Sequence, residues 1–119
     1  MDLFTHPYES TKANTAILNQ QRERLSLNAW IILFCLLEGQ QLHSYDFSKG
    51  IKLMFEMDKP RYMLEYRRRL CELKSAGIEI LSLNSPNGTK THWIDRDKIG
   101  EYRTKYEPYK LELLAKLNK

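Results

Sequence analysis

Two cysteines, four prolines and five glycines among 119 residues leave little material for several classes of protein. Cys35 and Cys71 stand far apart, each in an apolar context, FCLL and RLCEL. Such usage points to a reduced, cytoplasmic chain in which cysteine behaves as a small hydrophobe. Neither cysteine is spaced as a ligand with His43 or His92, so no metal site is expected. A glycine-rich phosphate loop and a Gly-x-Ser-x-Gly nucleophile turn are also absent. Acidic residues alternate with basic ones as surface pairs do, and two of the three histidines fall in turn-like contexts. The expectation is therefore a protein that is not an enzyme and takes no cofactor. Long apolar runs are missing too. The longest, AWIILFCLL at residues 29–37, has 9 residues where a membrane crossing needs about 20. The opening MDLFTHPYES has neither the basic region nor the apolar stretch of a signal peptide, so a cytoplasmic location without a membrane partner is expected.

What is present describes a globular chain. Hydrophobic residues make up 42% and charged residues 29%, and 119 residues suffice for one domain with its own core. Residues 1–13 carry Pro7, Ser10 and Thr11 without a period and read as a flexible arm. Helix formers over residues 14–24 suggest a short helix. Ser26 is placed to cap a helix over 27–38 that Gly39 would stop. That helix is apolar nearly all round and belongs at the centre of the fold. Residues 40–43 read as a connector, and Ser44 as the cap of a helix reaching residue 55 that Gly50 weakens or divides. At the far end, Asp95 or Asp97 would cap a helix over 96–119. There Ile99, Tyr102, Tyr106, Tyr109, Leu113 and Leu117 recur at intervals of 3 and 4 and make one stripe, while Pro108 should kink or split the helix.

Charge is concentrated between these parts. The net charge is only +4, but residues 59–76, KPRYMLEYRRRLCELKSA, hold six basic residues against two acidic ones, a surplus equal to that of the whole chain. Asp58 and Pro60 mark a helix start, and Gly77 a stop. Met63, Tyr66, Leu70 and Leu73 would form its buried stripe, with Arg61, Glu65, Arg68 and Glu72 opposite and Arg69 at the boundary. A strand over 78–83, the turn Ser85-Pro86-Asn87-Gly88 and a returning strand over 91–94 follow at once. A basic helix followed by a hairpin is the pattern of a recognition helix and its wing.

The run Arg69, Glu72, Leu73, Lys74, Gly77, Ile78 and Ile80, with Asn87-Gly88 at a turn and Trp93 beyond it, resembles the small winged helix-turn-helix domains of phage and plasmid genes. The resemblance covers residues 27–94. It implies an α+β, mostly α fold with a two-stranded wing; the winged helix is expected over 14–95, and the added N- and C-terminal helices lie outside the family pattern. It also implies a double-stranded DNA partner and a role as a transcriptional regulator or replication accessory. On that reading Lys59, Arg61, Tyr62 and Arg68 would contact phosphates or base edges, and Asn87, Thr89 and Lys90 would reach out from the wing. A competing reading makes the basic helix a solvated face of Glu65–Arg68, Arg68–Glu72 and Arg61–Glu65 pairs. In that case the chain would be a protein-interaction module inhibiting a host nuclease or polymerase. Ile99, Tyr102, Tyr106, Tyr109 and Leu113 are the expected homodimer surface, because the stripe is long for back-packing on a small domain.

Overall fold

The computed structural model describes residues 25–52 and 57–117. The expected N-terminal arm and the helix expected at residues 14–24 lie outside the described residues. In chain order the elements are α1 (Leu27–Leu37), β1 (Leu42–His43), α2 (Asp46–Lys49), α3 (Tyr66–Ser75), β2 (Leu81–Asn84), β3 (Lys90–Trp93) and α4 (Arg96–Leu117). The fold is α+β, with a small antiparallel sheet in the order β1-β3-β2.

α1 forms where the sequence places it. Ser26 sits in an extended conformation at its N-terminus and its Oγ accepts the Ala29 N–H at 3.2 Å. Every residue from Ala29 to Leu37 is buried. Such a helix needs cover on several sides, and α3 and α4 both pack on it. Glu72 of α3 also accepts the Ser26 N–H at 2.9 Å, which ties the start of α1 to the middle of α3.

α3 is shorter than its sequence suggests. The helix expected over residues 59–76 begins only at Tyr66, and no side chain caps it. Residues 57–65 run outside it because their backbone is engaged elsewhere. Arg61 and Ile51 exchange both backbone hydrogen bonds, at 2.8 and 2.9 Å, and the Met63 N–H donates to the Phe47 carbonyl at 2.7 Å. These long-range bonds outweigh the local start signal at Asp58 and Pro60. The same pairing limits the helix expected after Ser44 to four residues, ended by Gly50 at φ +107°. A Cβ at Gly50 would lie 2.8 Å from the Cβ of Pro60, so the chain before Arg61 passes where only glycine leaves room. At its other end α3 stops as expected. The Gly77 N–H donates to Lys74 and the Ile78 N–H to Leu73, the paired bonds of a Schellman motif, with Ile78 and Leu73 both buried.

The sheet has three strands where two were expected. β1 falls where the sequence reads as a connector, since two residues carry no period. It is a strand because Leu42 pairs with His92 and His43 with Thr91. On the other edge of β3, Leu81 pairs with Trp93 and Asn84 with Lys90.

α4 runs unbroken for 22 residues, with Asp95 accepting the Asp97 N–H at 3.1 Å. Pro108 lies within it and does not split it. Tyr106 and Tyr109 flank the proline and both pack on Trp30, with ring centroids 5.7 and 4.5 Å away. The expected dimer surface needs correcting. Tyr102, Tyr106, Tyr109 and Leu113 are only 5%, 3%, 3% and 0% exposed within a single chain, and the half-buried Ile99 packs on the same core. The stripe is covered by α1 and by the segment before β2, where the Glu79 N–H donates to the Tyr102 hydroxyl at 3.0 Å. A second copy finds no free apolar band there.

Candidate nucleic-acid interface

Leu70 and Leu73 fix the rotation of α3 by entering the core. Arg67, Cys71 and Lys74, spaced four and then three residues apart, consequently share an exposed flank. That flank faces the sheet across a cleft of about 360 Å³, lined also by Tyr66, Ser82, Lys90 and His92. Lys90 is the first residue of β3. Its backbone is held from the opposite side, where Ser44 donates its own N–H to the Lys90 carbonyl at 2.9 Å and its Oγ accepts the Lys90 N–H at 2.9 Å. The strand that carries this cation is thus fixed to the loop after β1.

The two flanks of α3 differ in charge. On the far side Arg69 pairs with Glu72 and lies 3.9 Å from Glu65, and the exposed Arg68 lies 3.8 Å from the same carboxylate. Positive charge there is largely neutralised. Among the described residues no carboxylate lines the cleft, and Arg67, Lys74 and Lys90 form no ion pair. Two buried or half-buried groups register the resulting potential. Burial, and then the charges of Lys74, Lys90 and Arg67, hold the His92 imidazole below its ordinary pKa. Burial alone would raise the Tyr66 phenol, but hydrogen bonds with Ser44 and Arg67 and the charges of Arg67 and Lys90 outweigh it and lower its pKa. Positive charge contributes to both shifts, after burial at His92 and alongside hydrogen bonding at Tyr66.

The residues expected at the interface are dispersed. Lys59, Arg61 and Tyr62 lie before α3 on the extended segment and share no helix face with Arg68. Arg61 donates from Nε to Asn28 at 3.0 Å, and Tyr62 lines a separate hollow with Asn28, Leu64 and Arg69. Asn87 and Thr89 occupy the turn between β2 and β3. There the Asn87 side-chain oxygen accepts both the N–H and the hydroxyl of Thr89, at 3.2 and 2.8 Å, so it shapes the turn. Of the seven expected contact residues, only Lys90 lines the cleft. Arg67, Lys74, Ser82 and His92 are not among the expected contact residues, although Lys74 belongs to the family-like run and His92 is weighed in the sequence as a metal ligand. The spacing of Arg67 and Lys74 places them on one flank, but which flank meets the sheet depends on the pairing of β1 with β3.

Cys35 is buried and its thiol is pushed well above its ordinary pKa, first by burial and then by Glu38, so it is not a nucleophile. Among the described residues no three of His, Cys, Asp and Glu gather as metal ligands, and no helix is long and apolar enough to cross a membrane. No family model matches the chain, and neither a curated protein nor a solved structure matches it.

Proposed function

We propose that the chain is a winged-helix protein that binds double-stranded DNA, with α3 as the recognition helix and the β2–β3 hairpin as the wing. The order helix, strand, helix, helix, strand, strand and the β1-β3-β2 sheet suit that architecture. The observation that carries the function is the asymmetry of α3, whose sheet-facing flank joins Lys90 in an uncompensated positive cleft while its other flank is neutralised by Glu65 and Glu72. Arg67 and Lys74 supply charge along the helix and Lys90 supplies it from the wing, so a duplex backbone can be held from two sides. The corresponding role, a transcriptional regulator or replication accessory of the phage or plasmid type, rests on the sequence resemblance. The test is fluorescence anisotropy of a labelled random duplex across a salt series. Binding whose logarithm falls linearly with the logarithm of salt supports the reading, and no binding at low salt removes it.

A further inference from the structure

We propose that the cleft between α3 and the sheet is a discrete single-phosphate site, in which Arg67, Lys74 and Lys90 hold the oxyanion and His92 couples its occupancy to pH. The inference rests on the same cations as the duplex reading and adds a defined position for one phosphate and a proton linked to it.

Three observations converge on the site. The first is the cation set. Two cations from one helix flank and one from a neighbouring strand border a single cleft, and among the described residues no carboxylate answers them there. An anion of tetrahedral shape can be approached from several directions at once in such a place. The second is His92, only 4% exposed yet one of the residues lining the cleft. Its Nδ1 lies 2.7 Å from the Ser82 hydroxyl, and its Nε2 has no hydrogen-bond partner among the described residues. With the Ser82 hydroxyl donating to Nδ1, the proton of the neutral ring sits on Nε2, a buried donor without an acceptor. Buried polar groups are seldom left so. The third is the field itself. The cations that border the cleft are those that disfavour the charged form of His92, after burial.

That third observation fixes the sign of the coupling. Facing His92 are Arg67, Lys74 and the Tyr66 ring from α3, Lys90 from its own strand, Ser82 from β2 and the uncharged Phe47 ring from α2. The charges in this set are positive, and after burial they disfavour the protonated ring. An oxyanion placed among them cancels part of that field, so protonation becomes easier when the site is filled. By reciprocity the anion binds more tightly as pH falls.

The probes are sulfate, a dianion throughout the range that stands in for a phosphate monoester, and dimethyl phosphate, a monoanion that stands in for an internal backbone phosphate. The measurement is the titration of the assigned His92 imidazole by ¹H–¹⁵N NMR in the full chain, at constant ionic strength set with chloride. The expected result is an upward move of the His92 midpoint with anion. Sulfate affinity should rise about threefold to tenfold from pH 8 to pH 5, the change that corresponds through linkage to a midpoint raised by about 0.5 to 1 pH unit. Both responses should vanish in the K74Q/K90Q variant. H92Q, if folded, should bind sulfate with little pH dependence. A response to both anions assigns the site to backbone phosphate, and a response to sulfate alone assigns it to a terminal or free phosphate. A midpoint unmoved by either anion, or moved equally in K74Q/K90Q, overturns the proposal. The duplex measurement separates the two readings. Anion response without duplex binding removes the DNA reading and leaves the site, and duplex binding without anion response does the reverse.

Discussion

His92 is buried in a field that keeps it neutral, which makes it a liability in acid. Its native pKa lies below the ordinary value near 6.5, so in that window the unfolded chain takes up a proton that the folded chain refuses. Stability is therefore fully present above the unfolded pKa and declines as pH falls through the window toward the native pKa. One such group changes stability by at most about 1.4 kcal/mol per pH unit. Melting at pH 7.5 and pH 5.5 should show the loss in the parent chain and a flatter profile in His92→Gln. An equal loss in both would place the acid sensitivity elsewhere. Two glycines offer a second comparison at this scale. Gly77 has a left-handed φ of +92° with open space about it, whereas Gly50 combines φ +107° with the near contact to Pro60. Gly77→Ala should cost about 1–2 kcal/mol from backbone strain alone. Gly50→Ala should cost at least about 1 kcal/mol more, since the crowded Cβ must displace a chain segment. Chemical denaturation giving the reverse order would contradict the assigned path of residues 57–63.

Among the elements, α4 carries the least expected feature, a proline in its interior. Pro108 is exposed, cannot donate to the carbonyl four residues earlier, and is held in place by the tyrosines on either side. Replacing it by alanine restores one helix bond and removes the ring's clash, a gain of up to about 3 kcal/mol. Greater freedom of the unfolded chain offsets about 0.4–1 kcal/mol of that. Pro108→Ala should thus raise the melting temperature, and a lower one would mean the ring itself packs. The elements also separate what is legible in a sequence from what is not. α1 and the α4 stripe are legible because caps and 3-to-4 spacing are local, and the end of α3 because Gly77 must close it. The start of α3 is not legible, because the partners of Arg61 and Met63 are Ile51 and Phe47, at least ten residues away. β1 is invisible for the same reason, as two residues become a strand only when β3 is beside them. The candidate site inherits this division. Its cations are countable in the sequence, but Arg67 and Lys74 acquire a role distinct from Arg61 and Arg68 only once the sheet lies on one side of the helix.

For the molecule as a whole, the buried α4 stripe changes the expected assembly. Tyr102, Tyr106, Tyr109 and Leu113 cover Trp30 and its neighbours within one chain, so self-association has no need of them. Light scattering at tens of micromolar should give a monomer. A stable dimer would require a surface other than this stripe. Deleting residues 98–119 should unfold the chain, since it uncovers the central helix.

The charge asymmetry belongs to the whole molecule, because the proposed duplex contact needs the sheet-facing flank of α3 and Lys90 of β3 together. Arg67→Gln with Lys74→Gln and Arg61→Gln with Arg68→Gln remove equal charge, so net charge cannot explain any difference between them. The most direct measurement is the salt dependence of duplex affinity for the parent chain and these two variants. Each phosphate that the protein no longer neutralises should lower the slope by about 0.9. The slope should fall by nearly two such steps in R67Q/K74Q and stay close to the parent value in R61Q/R68Q. Equal slopes in the two variants, or the larger reduction in R61Q/R68Q, would contradict the proposed duplex contact.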